Sequence, residues 1–252
     1  MPIVGARGAS KTSRSEGPSS AGMEGMSIVG SSVTFVTAAG EAYPETMRII
    51  TLPGVFEPRS DTWMLADVMR REQPPRDADV LELGTGSGAV GVAAAQGGAR
   101  SVTVVDVSRR ALVTAAINAR LNGVRVKPRR GDLFAPVAGE QFDLIVSNPP
   151  YLPSEDIPTR GASRAWEGGG PDGRALLERI CADVASHLRP GGTVLLVHSS
   201  VNDVQRTLDA LEQAGLQADI VHQQTGPLGP LLAAKRPDLD EEDIYVVRGR
   251  RV

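Results

Sequence analysis

The chain has 252 residues, of which 41% are apolar and 23% charged, with a formal net charge of −3. That profile belongs to an ordinary water-soluble globular protein and excludes a fibrous repeat, a disulfide-rich miniprotein and a wholly disordered chain; no apolar run approaches the roughly 18 residues that span a bilayer. A single cysteine, Cys181, allows neither an internal disulfide nor a thiolate zinc site and fits a reducing cytoplasm, and a negative net charge argues against a chain built mainly to grip nucleic acid.

Residues 1–30 hold six glycines, six serines and no aromatic residue. Such a stretch buries too little apolar surface to offset chain entropy, so a disordered tail is expected, followed by one α/β domain over 31–252. The tail has no apolar core of the kind a secretory signal needs, and Met23 and Met26 offer alternative starts. Ser60-Asp61 is placed to cap a helix whose apolar face carries Met64, Leu65, Val68 and Met69. Asp79–Leu83 reads as a buried strand, followed by a glycine-rich turn and a small-residue helix from about Gly88 to Gln96. Val102–Asp106 is a second strand, and Ser108 caps a helix reaching Asn122. Val124–Val126 and Phe142–Val146 read as the third and fourth strands. Asp172 caps a helix to about His187, Pro190–Gly192 turns the chain, and Thr193–Val197 is a fifth strand. A helix over Val201–Ala214 and strands near 217–223 and 243–248 complete the pattern. Strands alternating with helices imply βαβ units around a mostly parallel sheet, with ligands at the carboxyl ends of the strands.

The glycine-rich turn is Glu82-Leu83-Gly84-Thr85-Gly86-Ser87-Gly88. Glycines let a backbone turn tightly and approach a ligand closely. The spacing is G-x-G-x-G, not the G-x-G-x-x-G of dinucleotide folds, and it lacks the basic residue of a phosphate-gripping loop. With Glu82 in front, it resembles motif I of the class I S-adenosylmethionine (SAM) methyltransferases. The resemblance implies their Rossmann-like α/β fold: a mostly parallel seven-stranded sheet with helices on both faces, with SAM as cofactor. Asp106, ending the second strand, is then placed to accept both ribose hydroxyls. Asp132 can accept from the adenine amine while Leu133 packs on the ring, and a surface turn is the alternative for that pair.

Asn148-Pro149-Pro150-Tyr151 follows the fourth strand. Two prolines fix φ and lack N–H donors, so the local carbonyls stay out of a ladder. The Asn148 oxygen and the Pro149 carbonyl can together accept both hydrogens of a planar –NH2 and hold its nitrogen in line with a methyl donor. Tyr151 offers a flat face to a planar amide or base. The motif resembles that of methyltransferases acting on planar nitrogens, adenine N6 in nucleic acids or glutamine in proteins.

Taken from residue 50 to the end, the chain resembles the release-factor glutamine methyltransferases (the HemK/PrmC-like family). Three segments carry the likeness: Val55-Phe56-Glu57-Pro58-Arg59-Ser60-Asp61-Thr62-Trp63-Met64-Leu65, the Asn-Pro-Pro-Tyr motif, and Trp166-Glu167-Gly168-Gly169-Gly170-Pro171-Asp172-Gly173-Arg174. The first is similar to the segment of the family's short eukaryotic and archaeal branch, which lacks an N-terminal helical bundle. The resemblance implies a SAM-dependent methyltransferase acting on a glutamine amide in a protein such as a peptide-chain release factor. It places Glu57–Thr62 along the SAM pocket, with Thr62 near the methionine part, and allows a small zinc-binding activator subunit as partner. Methylation of adenine N6 or of a small-molecule nitrogen is the alternative. The chain departs from the short branch near its end, where an acidic stretch, Asp238–Asp243, replaces a short basic segment. His187, His198 and His222 show no metal spacing and no metal site is expected.

Overall fold

The computed structural model describes residues 36–40, 43–158 and 162–252, so the expected N-terminal tail lies outside the described residues. In chain order the elements are β1 (Val36–Gly40), β2 (Tyr43–Ile49), α1 (Ser60–Glu72), β3 (Asp79–Leu83), α2 (Ala89–Gln96), β4 (Ser101–Asp106), α3 (Arg109–Leu121), β5 (Lys127–Arg130), β6 (Phe142–Ser147), α4 (Ala175–Asp183), β7 (Leu188–Ser199), α5 (Val204–Gln213), β8 (Gln217–Pro227), α6 (Pro230–Lys235) and β9 (Glu241–Arg250). β1 and β2 pair as an antiparallel ribbon. The other seven strands form one sheet in the order β5-β4-β3-β6-β7-β9-β8, parallel except where β9 runs against β7 and β8. This is the mostly parallel seven-stranded sheet that the resemblance to the class I methyltransferases implies.

The order of the sheet follows from burial. β3 and β6 lie in its middle, and Val80, Leu81, Leu83, Ile145 and Val146 are fully buried. Each such side chain contributes roughly 2 kcal/mol relative to exposure. Alternate residues feed two cores: Val80, Val104 and Val146 face α1, α2 and α3, while Leu81, Leu83, Val105 and Ile145 face α4 and α5. α2 is buried from Ala89 to Ala94. Its small residues let it sit close to the sheet: a Cβ at Gly91 would stand 2.6 Å from Glu82 Oε2. The ribbon is tied down by two asparagines of the α3 end. Asn118 pairs with Ile50 through both its amide groups, and Asn122 does the same with Arg48.

Four expectations shift. The third strand is Lys127–Arg130, not Val124–Val126; the two valines pack against the core as the approach to it. The helix expected from Asp172 begins at Ala175, because Gly173 at φ +69° intervenes; Asp172 Oδ1 instead accepts from Arg174 N at 3.2 Å. That helix ends at Asp183 and tightens into a 3-10 turn over Val184–His187. α1 starts at Ser60 with Arg59 as its cap residue, whose N–H bonds the Thr62 hydroxyl, so Ser60-Asp61 does not cap it.

A strongly charged cluster sits at the amino ends of the strands. Arg100 and Arg189 clasp Asp79 and Asp143 at 2.6–3.3 Å, and hydrogen bonds from Arg100 and Arg189 hold the Asp79 carboxyl well below the usual range. It lies at the opposite end of the sheet from the glycine turn and serves to pin strand starts. Among the described residues no helix is long and apolar enough to cross a membrane.

Candidate active site

At the carboxyl ends of β3, β4 and β6 the chain encloses a cavity of about 390 Å3. Gly84, Gly86, Asp106, Asp132, Leu133, Asn148, Glu82 and Thr62, all expected at a cofactor site, line it together. Gly88 does not. At φ +80° a Cβ there would stand 2.6 Å from the Ala115 Cβ, so Gly88 is the close-packing point between the turn and α3. Gly84, at φ +65°, has nothing within 4 Å of such a Cβ and leaves the cavity floor open.

Asp106 braces this floor. Its Oδ2 accepts from Gly86 N at 3.1 Å and its Oδ1 from Ser108 N at 2.8 Å. Each carboxylate oxygen has a second lone pair, so the group can still accept from a ligand. Burial raises its pKa, opposed by those two N–H groups. Leu133 holds φ +45°, a rare conformation for a bulky residue that is kept where surrounding structure demands it. Asp132 forms an ion pair at 2.6 Å with Arg179, which reaches across from α4.

Glu82 is nearly sealed from solvent; its Oε2 accepts from Thr85 Oγ1 at 2.5 Å and from Gly91 N at 3.0 Å. Burial lifts its pKa from an ordinary 4.5 to about 8, against those two hydrogen bonds. Between these values the folded protein keeps a proton that the unfolded chain has lost, so stability declines as pH rises through that window. Glu82→Gln should reduce this slope: its thermal midpoint should fall less from pH 5 to 8 than the wild-type midpoint does.

A second, smaller slot of about 60 Å3 opens beside the cavity, and Phe56, Asn148, Pro150 and Ala165 line both. Of these four, Asn148 alone has a polar side chain. Its Nδ2 donates to Thr62 Oγ1 at 3.3 Å, and among the described residues Oδ1 takes no hydrogen bond. Thr62 also contacts Asp61 Oδ1, while Asp61 Oδ2 accepts from Tyr151 Oη at 3.3 Å. Burial, with the Asp61 charge next, pushes the Tyr151 phenol well above its ordinary value, so it remains a donor. Pro149 and Tyr151 line the slot only. Its far wall is Trp166, which touches Phe56 at 4.8 Å between ring centres and carries the Arg59 guanidinium at 4.8 Å.

Glycines hold the motif loop by backbone contact. A Cβ at Gly173 would stand 2.0 Å from the Tyr151 carbonyl oxygen, and one at Gly168 would stand 2.5 Å from that of Pro150. Asn202 adds two bonds of 2.8 Å to the carbonyls of Tyr151 and Asp172, and the buried Arg174 fixes the Asn202 segment in turn.

The Methyltransferase small domain family matches residues 46–164. A Methanocaldococcus jannaschii protein, provisionally named a protein N5-glutamine methyltransferase, is 34% identical over 177 residues, which are 70% of this chain and 88% of that one. The chain belongs to the HemK/PrmC-like family of glutamine methyltransferases. The release factor glutamine methyltransferase of Gloeobacter violaceus is 39% identical over 168 residues, but the match spans only 58% of that relative's length. Among solved structures, a chain of the E. cuniculi Mtq2–Trm112 complex, described as responsible for methylation of the eRF1 termination factor, aligns with TM-score 0.58 and 24% identity. That alignment covers 79% of this chain and 99% of the other, and shows a shared fold.

Arg179, Arg164, Phe56 and Glu242, which also face the two spaces, carry no separate signal in the sequence. Phe56 lies in the Val55–Leu65 segment, and Glu242 in the acidic stretch Asp238–Asp243.

Proposed function

We propose that this methyltransferase transfers a methyl group from SAM to the side-chain amide nitrogen of a glutamine in a protein, a peptide-chain release factor, in the cytoplasm. The observation that carries the reading is Asn148, standing between a cofactor-sized cavity and a slot fit for one side chain. A cavity of about 390 Å3 lies within the range for small-molecule sites. Its chemistry fits SAM: a carboxylate for a ribose diol at Asp106, an acceptor and an apolar face for adenine at Asp132 and Leu133, and an open glycine floor at Gly84. When bound, SAM supplies an electrophilic methyl on a sulfonium; the new bond is nitrogen to methyl, the broken one sulfur to methyl, and the nitrogen's proton leaves to water.

The protein's part is positioning. Thr62 takes the donor end of the Asn148 amide, which turns Oδ1 toward the acceptor. Oδ1 and the Pro149 carbonyl accept the two hydrogens of the glutamine –NH2 and aim its lone pair at the cofactor. Phe56 and Trp166 form an aromatic wall of the slot and leave its mouth open to water, which takes the proton. Asp106→Ala should raise the SAM dissociation constant about a hundredfold in calorimetry, since hydrogen bonds to a charged group are worth about 1.5–3 kcal/mol each; at saturating SAM the transfer rate should change only a few-fold.

The names of the relatives support glutamine as acceptor, and the two-protein Mtq2–Trm112 complex supports a second protein as partner, which we take to be a small zinc-binding activator. Mass spectrometry of release factors incubated with enzyme and SAM tests the acceptor: one added methyl on one glutamine is expected. Label appearing only on adenine N6 of nucleic acid, or only in small molecules, would reject it. Comparing the chain alone with the chain plus activator tests the partner.

A further inference from the structure

The slot holds a carboxylate that methyl transfer does not use. Glu242, near the start of β9, is 9% exposed. Its Oε2 accepts from the buried Ser199 hydroxyl at 2.5 Å and its Oε1 from Gly229 N at 3.5 Å. The carboxylate is thus clamped from β7 and from the β8–α6 turn, on the wall of the slot that Asn148 and Pro149 also line. Among the described residues neither Glu242 nor Asp61 is in a salt bridge. The cations at the rim are otherwise engaged: Arg59 lies over Trp166, and Lys235 bonds Glu167 at 3.0 Å and the Pro153 carbonyl at 2.6 Å.

Each Glu242 oxygen already accepts one hydrogen bond and keeps a second lone pair, so the fixed carboxylate can take a further donor from the slot. A slot of about 60 Å3 admits only the end of one side chain, so the rest of the acceptor segment lies at its mouth. The two hydrogens of the target amide go to Asn148 and Pro149. The donors left on any glutamine-bearing segment are its main-chain N–H groups.

We propose that Glu242 is a specificity-determining residue of the acceptor slot, accepting a hydrogen bond from a main-chain N–H of the protein segment that carries the target glutamine. This rests on the glutamine reading above. It also implies that acidic residues flanking the glutamine are disfavoured, because the slot wall there offers the acceptor oxygens of Glu242 and Asp61 and, among the described residues, no free donor for a second carboxylate.

The test uses ten-residue peptides copied from the methylated stretch of the release factor, with an ester replacing one amide in turn at the glutamine and at its neighbours. Glu242→Gln should raise the peptide KM tenfold or more, with kcat and SAM affinity within about twofold. One ester position should cost the wild type about tenfold and the variant less than twofold. If Glu242→Gln does not fold, Ser199→Ala, which keeps the charge and frees the clamp, should show the same rise in KM alone. Unchanged KM, or esters costing wild type and variant equally, would overturn the proposal. So would coupling to a lysine or arginine side chain of the peptide in place of an N–H. Failure of the wild type to methylate any glutamine peptide or release factor would be a different result: it rejects the glutamine reading first, and this proposal with it.

Discussion

Asn148→Ala should lower the methyl-transfer rate about a thousandfold, roughly 4 kcal/mol of transition-state stabilisation, while SAM affinity stays within about threefold of wild type. Asn148 lines both spaces, yet among the described residues its side chain bonds only Thr62. Removing it takes away the acceptor that aligns the nitrogen and leaves Gly84, Gly86 and Asp106 in place. Positioning of this kind is worth many kcal/mol, so a small loss of alignment costs orders of magnitude. Single-turnover kinetics measures the rate, and calorimetry with SAM measures the binding. Thr62→Val, which keeps the shape and removes the hydroxyl, should give a smaller loss of about ten- to thirtyfold, because the amide then turns freely.

Gly173→Ala should be the most damaging change away from the reacting atoms. The added Cβ would stand 2.0 Å from the Tyr151 carbonyl oxygen and 2.8 Å from its carbon, and these are backbone atoms that cannot swing aside. The residue also sits at φ +69°, where an L side chain is strained. We expect a loss of about 3 kcal/mol or more in stability, a thermal midpoint lower by about 10 °C, and activity reduced at least a hundredfold at a temperature where the variant is folded. Gly215→Ala is the control: φ +84° but nothing within 4 Å of the new Cβ. Strain alone should cost it about 1 kcal/mol and leave activity intact. Circular dichroism melts and initial rates on both variants separate strain from collision with the motif loop.

β3, β4, β6 and α3 fall within a residue or so of where the sequence pattern places them. Their strands are buried on both faces and read as short stretches rich in Val, Leu and Ile, and Ser108 does cap α3, accepting from Ala111 N at 3.4 Å. β5 could not be read that way: all four residues, Lys127 to Arg130, are exposed, so neither alternation nor an apolar run marks them, and the nearby valines drew the strand too early. β1, β2 and α6 were not foreseen. The ribbon is secured by Asn118 and Asn122, far along the chain, and α6 is six residues begun by Pro230.

The same division holds at the site. Gly84, Gly86, Asp106, Asp132, Leu133 and Asn148 were legible because each follows a strand that runs the same way, and parallel strands deliver their ends to one rim. Gly88 lies off the cavity, against Ala115, and sequence spacing does not separate a glycine needed for close packing from one needed for ligand contact. Arg179 and Glu242 arrive from α4 and from the antiparallel β9, and only tertiary structure shows that they reach the same spaces. The salt bridge between Arg179 and Asp132 shows that an expected adenine contact already has a protein partner.

The central claim is that one side chain, Asn148, joins a cofactor cavity to a glutamine slot. The most direct measurement is mass spectrometry of a release factor after reaction with the wild type and with Asn148→Ala, both at saturating SAM. The account predicts one methyl on one glutamine amide nitrogen with the wild type, and about a thousandth as much at the same early time with the variant although it binds SAM normally. Equal methylation by the variant, or a methyl found on any other kind of atom, would contradict it.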